Sequence, residues 1–271
     1  MTIGPMGLIW IDDTAPLPPT RHALGHDTDA PGLLAAGGQV TPQRLREAYR
    51  RGIFPWFSPG QPALWWTPDP RMVLPVAGFR LSATMRKTLR RFARTPGCEI
   101  RIDHDFRAVM QACAATPRDG QHGTWIVPEI VDAYAAWHDA ADASGHPHSV
   151  ETWIDGQLAG GLYCVNLGQM VFGESMFAWR TDASKIALAA LVAFCRAQGI
   201  AWIDCQQNTR HLASFGAHEV PRSRFEAHLA QVVPAAAPAR WSYDPALWAL
   251  LDAGIEVPVA AASAPPPPAR A

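Results

Sequence analysis

The first 40 residues are rich in proline and glycine, and the hydrophobic pattern between residues 41 and 143 predicts helices that are interrupted by a stretch rich in proline and tryptophan. Apolar residues recur at helical spacing and predict helices in the ranges 41–52, 105–115 and 128–143. Thr41 predicts the start of the first helix, because threonine is a favoured N-cap and a proline follows it at the first helical position. Five prolines between residues 55 and 70 then break the chain into short strands and turns.

The pattern changes to strand-like alternation near residue 148. Asp155-Gly156 predicts a type I′ hairpin turn, and a second turn at residues 166–168 leads into a third antiparallel strand. The elements expected after these strands are a helix, a buried strand and two short helices, in the ranges 182–198, 200–206, 208–215 and 222–232. This order of elements indicates an α+β fold with a mixed sheet.

We expect the chain to be divided into three parts. Residues 1–79 form a small N-terminal domain that is rich in tryptophan, and residues 80–250 form the larger mixed-sheet domain. The tail, residues 251–271, is rich in alanine and proline and is expected to be disordered, because it has too few large apolar side chains to form a core.

Two apolar, strand-like runs each contain a carboxylate. Glu174 interrupts VFGESMF and Asp204 interrupts WIDCQ, and a buried carboxylate is costly unless it is paired or hydrogen-bonded. In one interpretation each carboxylate pairs with an arginine for structural reasons; in the other, the two carboxylates form a site with Gln206. Asp204 and Gln206 are two residues apart on a predicted strand, so we expect them on one face and Cys205 on the other.

The sequence lacks the common motifs for a protein nucleophile or a metal site. It has no G-x-S-x-G and no H-E-x-x-H, and its five cysteines are odd in number and include no C-x-x-C pair. A carboxylate and an amide without a nucleophile suit direct attack by a substrate group on an ester or thioester that is already activated. An α-amine, with a pKa of about 8, is partly neutral at pH 7 and could attack without a strong base.

The distribution of charge indicates one segment that could bind nucleic acid. The net charge of −1 gives the whole chain no attraction to nucleic acid, but residues 80–107 carry eight Arg or Lys against three acidic residues. Four of these cations lie on neighbouring positions of a predicted helix: Arg86, Lys87, Arg90 and Arg91. They form either an ordinary solvated face or a face that binds nucleic-acid phosphates.

The N-terminus has no basic region followed by a long apolar run, and no segment reaches the length of a membrane span. We therefore expect a cytoplasmic protein that does not enter a membrane.

Eight segments, in order between about residues 5 and 245, carry a family resemblance. They are residues 32–71, GTWI (123–126), HSVETW (148–153), GGLYCVNLG (160–168), FGESMF (172–177), DASKIAL (182–188), IDCQ (203–206) and HLASFGA (211–217). Together they resemble the leucyl/phenylalanyl-tRNA–protein transferase family. The resemblance implies a large domain similar to the acyl-CoA N-acyltransferase (GNAT) fold. We also expect a monomer that needs no cofactor or metal.

The activity implied by this resemblance is transfer of Leu, Phe or Met from aminoacyl-tRNA to the N-terminal Arg or Lys of a protein, which marks that protein for N-degron degradation. The resemblance places a proton relay on Asp204 and Gln206, with Glu174 beside them. Gln206 would accept a hydrogen bond from the attacking α-amine, and Asp204 would polarise Gln206.

The same resemblance implies three binding regions. Trp56 and Trp125 match positions that hold the 3′-terminal adenosine, and the basic helix positions match a tRNA-binding cluster. The walls of the aminoacyl pocket match Leu162, Val171, Leu188 and Ile203. The sequence departs from the family pattern at Val171, where a larger aromatic is common, and at 177–180, which reads Phe-Ala-Trp-Arg.

Two other functions remain open. A CoA-dependent N-acyltransferase of the same fold would need a glycine-rich, pyrophosphate-binding turn before the 183–198 helix, and residues 179–182 contain no glycine. An RNA-binding module without catalytic activity would explain the basic helix and the tryptophans, but not Glu174, Asp204 and Gln206.

Overall fold

The structure is a computed structural model that describes residues 2–3, 7–116, 124–140 and 142–251. These residues form twelve strands and seven α-helices. The strands are β1 (Thr2–Ile3), β2 (Ile9–Ile11), β3 (Leu33–Gly37), β4 (Phe54–Pro55), β5 (Leu64–Trp66), β6 (Arg71–Pro75), β7 (Cys98–Ile102), β8 (Pro147–Ile154), β9 (Gln157–Leu167), β10 (Met170–Ala178), β11 (Trp202–Gln206) and β12 (His218–Val220). The helices are α1 (Pro42–Tyr49), α2 (Ala83–Arg94), α3 (Phe106–Ala115), α4 (Pro128–Asp139), α5 (Ala183–Gln198), α6 (Arg210–Ser214) and α7 (Arg222–Val232).

A small sheet holds the N-terminal part of the chain. Its strand order is β1-β2-β3-β5-β4, and β2 and β3 form its parallel pair. The buried Trp65 indole N–H donates to the Gly37 carbonyl at 3.0 Å, so the polar edge of this large core side chain is satisfied.

The larger sheet has seven strands in the order β12-β6-β11-β10-β9-β8-β7. All neighbours are antiparallel except β10 and β11, which are parallel, so the sheet is mixed. Asp155 and Gly156, with φ of 52° and 73°, form the predicted left-handed turn between β8 and β9. The expected α+β class is confirmed, because a small N-terminal sheet is accompanied by a larger mixed sheet with helices on both faces.

Helices cover both faces of the larger sheet. Helices α1, α3, α4 and α7 share a core with one face, and α2 and α5 share a core with the other. Thr41 caps α1 as predicted by accepting a hydrogen bond from the Arg44 N–H at 3.2 Å. Gly199, with φ of 72°, ends α5 as predicted.

Some expected boundaries differ from the structure. Strand β6 lies in the larger sheet, although the predicted division at residue 79 assigns it to the small domain. Pairing of β6 with β11 and β12 explains this, since apolar strand residues remain with the sheet that buries them. The helix expected over 128–143 ends at Asp139. The expected disordered tail lies outside the described residues, except for Leu251.

No helix in the described part of the chain is long and apolar enough to cross a bilayer. Within the same residues, no group of three His, Cys, Asp or Glu side chains is arranged to hold a metal ion.

Candidate functional site

The parallel strands β10 and β11 separate soon after they meet. Their register contains two pairs, Val171 with Ile203 and Phe172 with Asp204. Directly after these pairs each strand has an irregularity: β10 between residues 173 and 175, and β11 between residues 204 and 206. Bulges of this kind bend a strand and redirect its side chains. The result is an opening in the middle of the larger sheet.

A cavity of about 920 Å³ occupies this opening. Its apolar walls come from both strands, from β9 and from α5: Leu162, Met176, Leu188, Leu191 and Ile203. Polar groups line the rest of it, including Glu174 from β10 and residues 209–211 at the start of α6. A mainly apolar cavity with a few convergent polar groups is typical of a small-molecule site.

Asp204 is paired and fully buried. Its Oδ1 accepts from Arg71 Nε at 2.8 Å and its Oδ2 from Arg71 Nη2 at 2.6 Å, and the two side chains are 0% and 1% exposed. Arg71 Nη1 also donates to the Gly52 carbonyl at 2.9 Å. The rings of Phe54 and Phe225 lie 4.9 and 4.7 Å from the guanidinium carbon. The carboxylate is therefore neutralised by a fork-shaped, charge-assisted pair.

Gln206 has a left-handed backbone, with φ of 60°. Its backbone N–H donates to Asp204 Oδ1 at 2.9 Å, and its side-chain Nε2 donates to Glu174 Oε1 at 2.8 Å. With Nε2 used in this way, Oε1 of Gln206 is the atom that could accept a hydrogen bond from a substrate amine.

The expectation that Asp204 and Gln206 share one face is wrong. Asp204 lies opposite Val73 in β6, whereas Gln206 lies opposite the adjacent residue, Met72. The extra residue at position 205 interrupts the alternation of side chains. Asp204 therefore contacts the backbone of Gln206, and the expected polarisation of the Gln206 side chain by Asp204 is replaced by a contact with Glu174.

Glu174 has no cationic partner among the described residues. Its Oε2 is buried and makes no hydrogen bond of normal geometry. Burial raises the pKa of Glu174 to about 7, although the Tyr49 hydroxyl and the Gln206 amide both act to lower it. The Tyr49 and Tyr134 hydroxyls lie 2.5 Å apart, and burial raises the pKa of both phenols well above the usual value. Glu174 is thus a carboxyl group that changes protonation near neutral pH, as functional carboxyl groups often do.

The structure brings together only part of the predicted aminoacyl pocket. Leu162, Leu188 and Ile203 line the cavity. Val171 does not line it and is fully buried at the position where β10 still pairs with β11. Its small side chain therefore affects the pocket only through its neighbours.

The two predicted adenosine-binding tryptophans lie outside the lining of the cavity. Both are half-buried against the core that α1, α3, α4 and α7 share with the sheet. The Trp56 ring contacts Trp66, with centroids 5.4 Å apart at 67°, and Trp125 lies just before α4. No ring contact joins Trp56 to Trp125 among the described aromatic pairs.

The predicted basic positions form one exposed face of α2. The opposite face of the helix is buried through Met85, Leu89 and Phe92. Each of the four cations is exposed, and none forms an ion pair with another described residue: Arg86, Lys87, Arg90 and Arg91. Unpaired cations remain available to a phosphate backbone.

Several residues around the cavity were not predicted from the sequence. The sequence contains one signal that could have predicted Arg71. This residue begins the apolar run RMVLP, and a buried carboxylate needs a cation. Tyr49 and Tyr134 carried none, since each lies in a helix whose pattern indicates ordinary core packing. Residues at the start of α6 also line the cavity. They do so because the chain turns back at the end of β11, and no sequence pattern marks this turn as part of a site.

Comparison with known families and proteins shows which family the chain resembles. A family model described as leucyl/phenylalanyl-tRNA protein transferase matches residues 73–230, and the model of that family's N-terminal domain matches residues 38–69. A protein named leucyl/phenylalanyl-tRNA–protein transferase from Leptothrix cholodnii is 65% identical over 239 residues, which cover 88% of this chain and 92% of that protein. One of the same name from Methylibium petroleiphilum is 63% identical over 236 residues, with 87% and 88% covered.

Likeness to solved structures is much weaker. FemX matches 65% of this chain and 66% of its own, with 10% identity and a TM-score of 0.40. The structure of L-PGS from Bacillus licheniformis covers 60% of this chain and 49% of its own, with 12% identity and a TM-score of 0.34. Neither likeness bears on the chemistry of the site.

Proposed function

The chain belongs to the leucyl/phenylalanyl-tRNA–protein transferase family and is an aminoacyltransferase, and we propose that it acts through the Glu174–Gln206 pair. It moves a leucyl, phenylalanyl or methionyl group from aminoacyl-tRNA to the N-terminal Arg or Lys of an acceptor protein. The observation that carries the proposal is the mainly apolar cavity between β10 and β11, with this hydrogen-bonded pair at its edge.

The cavity holds the aminoacyl side chain. Leu162, Leu188 and Ile203 offer an apolar surface without a charge, which suits Leu, Phe and Met. Such a wall separates similar side chains weakly, since one methylene is worth about 1–3 kcal/mol. Selection therefore depends on the length and volume of the side chain more than on any polar contact.

The reaction joins the acceptor amine to the ester carbonyl. Gln206 Oε1 accepts a hydrogen bond from the amine, and this contact aligns the nitrogen with the carbonyl carbon. As the N–C bond forms, Glu174 takes a proton from the amine. The ester C–O bond then breaks, and Glu174 returns the proton to the ribose oxygen of the leaving tRNA. A carboxyl group whose pKa is about 7 can perform both steps at neutral pH.

Asp204 has a positioning role in this proposal. Arg71 already binds both of its oxygens, so Asp204 is poorly placed to relay a proton. Its contact with the Gln206 N–H holds the left-handed backbone that aims the Gln206 amide at Glu174. This assignment replaces the relay that the family resemblance implied.

The acceptor preference follows from charge. Arg71 neutralises Asp204, so Glu174 is the acidic group of the cavity that forms no ion pair with a described residue. An Arg or Lys side chain near Glu174 stabilises its carboxylate form and lowers its pKa. A cationic acceptor therefore helps to ionise the group that receives the proton.

The tRNA and the setting of the reaction complete the proposal. Trp56 and Trp125 hold the terminal adenosine by stacking, and the basic face of α2 binds phosphates of the tRNA body. The enzyme acts as a monomer in the cytoplasm, where aminoacyl-tRNA is made, and its products enter N-degron degradation.

A transfer assay tests the proposal. The protein is incubated with labelled Leu-tRNA and a peptide that begins with Arg, beside a matched peptide that begins with Glu. Label should enter the Arg peptide and not the Glu peptide. Binding of tRNA without transfer would support an RNA-binding module instead, and acetylation of the peptide from acetyl-CoA without tRNA would support an N-acyltransferase.

The basic face is tested separately by Arg90→Ala. This change should weaken tRNA binding and reduce the slope of log affinity against log salt concentration by about 0.7–0.9. Arg107→Ala is the control, because Arg107 lies on α3, on the other face of the sheet, in an exposed pair with Asp132. If Arg90→Ala leaves the slope of log affinity against log salt concentration unchanged, the exposed face of α2 is an ordinary solvated surface that does not bind tRNA.

A further inference from the structure

A second, smaller cavity adjoins the aminoacyl cavity. It has a volume of about 330 Å³ and lies between the start of α2 and the start of α5. His211 lines both cavities, so the two are neighbours on one continuous surface. The smaller cavity also lies directly beside the basic face of α2, since Thr84 and Met85 are part of its lining.

The smaller cavity is lined mainly by donors and cations. Arg80 and Lys185 face it together with the hydroxyl residues Ser82, Thr84 and Ser214. Arg80 is exposed and forms no ion pair with a described residue. Asp182 is the acidic residue of this lining, and its Oδ1 lies 2.7 Å from Lys185 Nζ. Lys185 is 40% exposed, so its ammonium can bind a second anion while it contacts Asp182.

An exposed tryptophan lies on the turn that leads to this cavity. Trp179 is 61% exposed, the highest value among the large hydrophobic side chains described as exposed. The backbone N–H groups of Trp179 and Arg180 both donate to the Ala159 carbonyl, at 2.9 and 3.0 Å, so the turn is fixed. Phe177 packs at an angle against the Trp179 ring, with centroids 4.9 Å apart, and most of the ring faces solvent.

Together, these groups make a surface that suits single-stranded RNA. Trp179 offers an exposed aromatic face for stacking a base. Arg80 and Lys185 in the cavity lining, and the exposed Arg180 next to Trp179 in the chain, offer cations for phosphates. We infer that this 3′-strand surface, defined by Arg80, Trp179, Arg180 and Lys185, binds the nucleotides that precede the terminal adenosine of the donor tRNA. The inference rests on the proposed function, because it takes the donor to be an aminoacyl-tRNA.

The position of the surface fits this partner. A tRNA whose aminoacyl group enters the large cavity and whose body lies on α2 must cross the region between them. The cavity lined by Arg80 and Lys185 fills that region and touches both ends of it, at His211 and at Thr84. An acceptor peptide that begins with Arg or Lys would be repelled by the same cations.

The test compares two donors that differ in their phosphates. Leu-tRNA crosses the 3′-strand surface, whereas leucyl-adenosine ends at the terminal adenosine and carries no phosphate. Trp179→Ala should raise the KM for Leu-tRNA roughly tenfold, and Arg80→Ala with Lys185→Ala should reduce the slope of log affinity for tRNA against log salt by about 1.4. Neither variant should change the KM for leucyl-adenosine or kcat at saturating tRNA.

Matched variants control for general effects of these changes. Trp10→Ala removes another exposed tryptophan, 42% exposed and in the small sheet, and Arg107→Ala removes a cation from the other face of the larger sheet. Both should leave the KM for Leu-tRNA unchanged. A KM that rises equally for leucyl-adenosine, or that rises for the acceptor peptide instead, would overturn the inference, as would no change at all.

Direct binding separates the two proposals. If the wild-type protein fails to transfer label from either donor, the proposed function is wrong. Filter binding of Leu-tRNA to wild type, Trp179→Ala and Trp10→Ala still tests the 3′-strand surface. Loss of affinity confined to Trp179→Ala would support that surface, and equal affinity in all three proteins would refute it.

Discussion

Asp204 and Glu174 are neighbouring carboxyl groups with opposite surroundings. Asp204 is enclosed by Arg71, which binds both of its oxygens, and the pair is almost completely buried. Glu174 has one amide partner, forms no ion pair with a described residue, and has a pKa raised by burial to about 7. Burial alone therefore does not distinguish a structural carboxyl group from one that changes protonation near neutral pH. Glu174, which lacks an ion pair, has a pKa that lets it gain and lose a proton near neutral pH.

The largest effect that we predict is a loss of stability in Arg71→Met. This change leaves the Asp204 carboxylate buried without a counter-charge, which typically costs 3–5 kcal/mol. We expect the free energy of unfolding, measured by urea denaturation, to fall by about that amount. The double variant Arg71→Met with Asp204→Asn should recover part of the loss. A double variant as unstable as the sum of the two single variants would mean that the pair contributes independently.

The second prediction concerns Glu174→Gln. The substitution keeps the shape of the side chain and removes the proton-accepting group, so we expect transfer to fall by roughly 10²–10⁴. Stability should stay within about 1 kcal/mol of wild type or increase, because a carboxyl group without a cation is removed from the interior. Labelled transfer to an Arg peptide and urea denaturation measure the two effects. A large loss of stability with full activity would reverse the roles assigned to the two carboxyl groups.

The third prediction follows from the raised pKa of Glu174. Between pH 4.5, the ordinary value, and about 7, the folded protein binds more protons at Glu174 than the unfolded chain does. This group therefore favours folding below pH 4.5, and its contribution is lost as the pH rises through 7. The buried His148, whose pKa is lowered to about 4, acts in the opposite direction. The stability of wild type minus that of Glu174→Gln, measured across this range, should isolate the Glu174 contribution, and a flat difference would contradict it.

The smallest effect is expected for Tyr49→Phe. The Tyr49 hydroxyl lowers the pKa of Glu174, so its removal should move the inflection of the transfer rate to higher pH, by up to about one unit. Tyr134→Phe breaks the same contact between the two hydroxyls and is the matched control, since Tyr134 is not among the groups that shift the pKa of Glu174. Equal shifts in both variants would assign the effect to packing.

Much of the fold could be predicted because its signals are local. Thr41 caps a helix through a residue three positions away, and Asp155-Gly156 adopts a turn that its own backbone preferences favour. The mixed sheet follows from the order of such elements. These features need no knowledge of the distant parts of the chain.

The internal arrangement of the site could not be predicted in the same way. The pairing of Arg71 with Asp204 joins residues 133 positions apart. The sequence near Asp204 contains no signal that identifies Arg71 as its partner. The irregularities at residues 174 and 205 depend on how β10 and β11 meet their neighbours, and no local residue pattern marks them. Strand alternation therefore predicted the wrong face for Gln206, although Glu174, Asp204 and Gln206 do lie in one hydrogen-bonded group.

The hydrogen bond from Arg71 to the Gly52 carbonyl has a consequence for modularity. Gly52 lies just after α1, in the N-terminal part of the chain, and Tyr49 of the same helix lies beside Glu174. The N-terminal part of the chain thus supplies the Gly52 carbonyl that binds Arg71, the partner of Asp204, and it supplies Tyr49 beside Glu174. A fragment that begins at β6 would keep every residue of the cavity wall and still lose the environment of both carboxyl groups. The two sheets are separate in architecture, but residues from both parts of the chain build the surroundings of the two carboxyl groups.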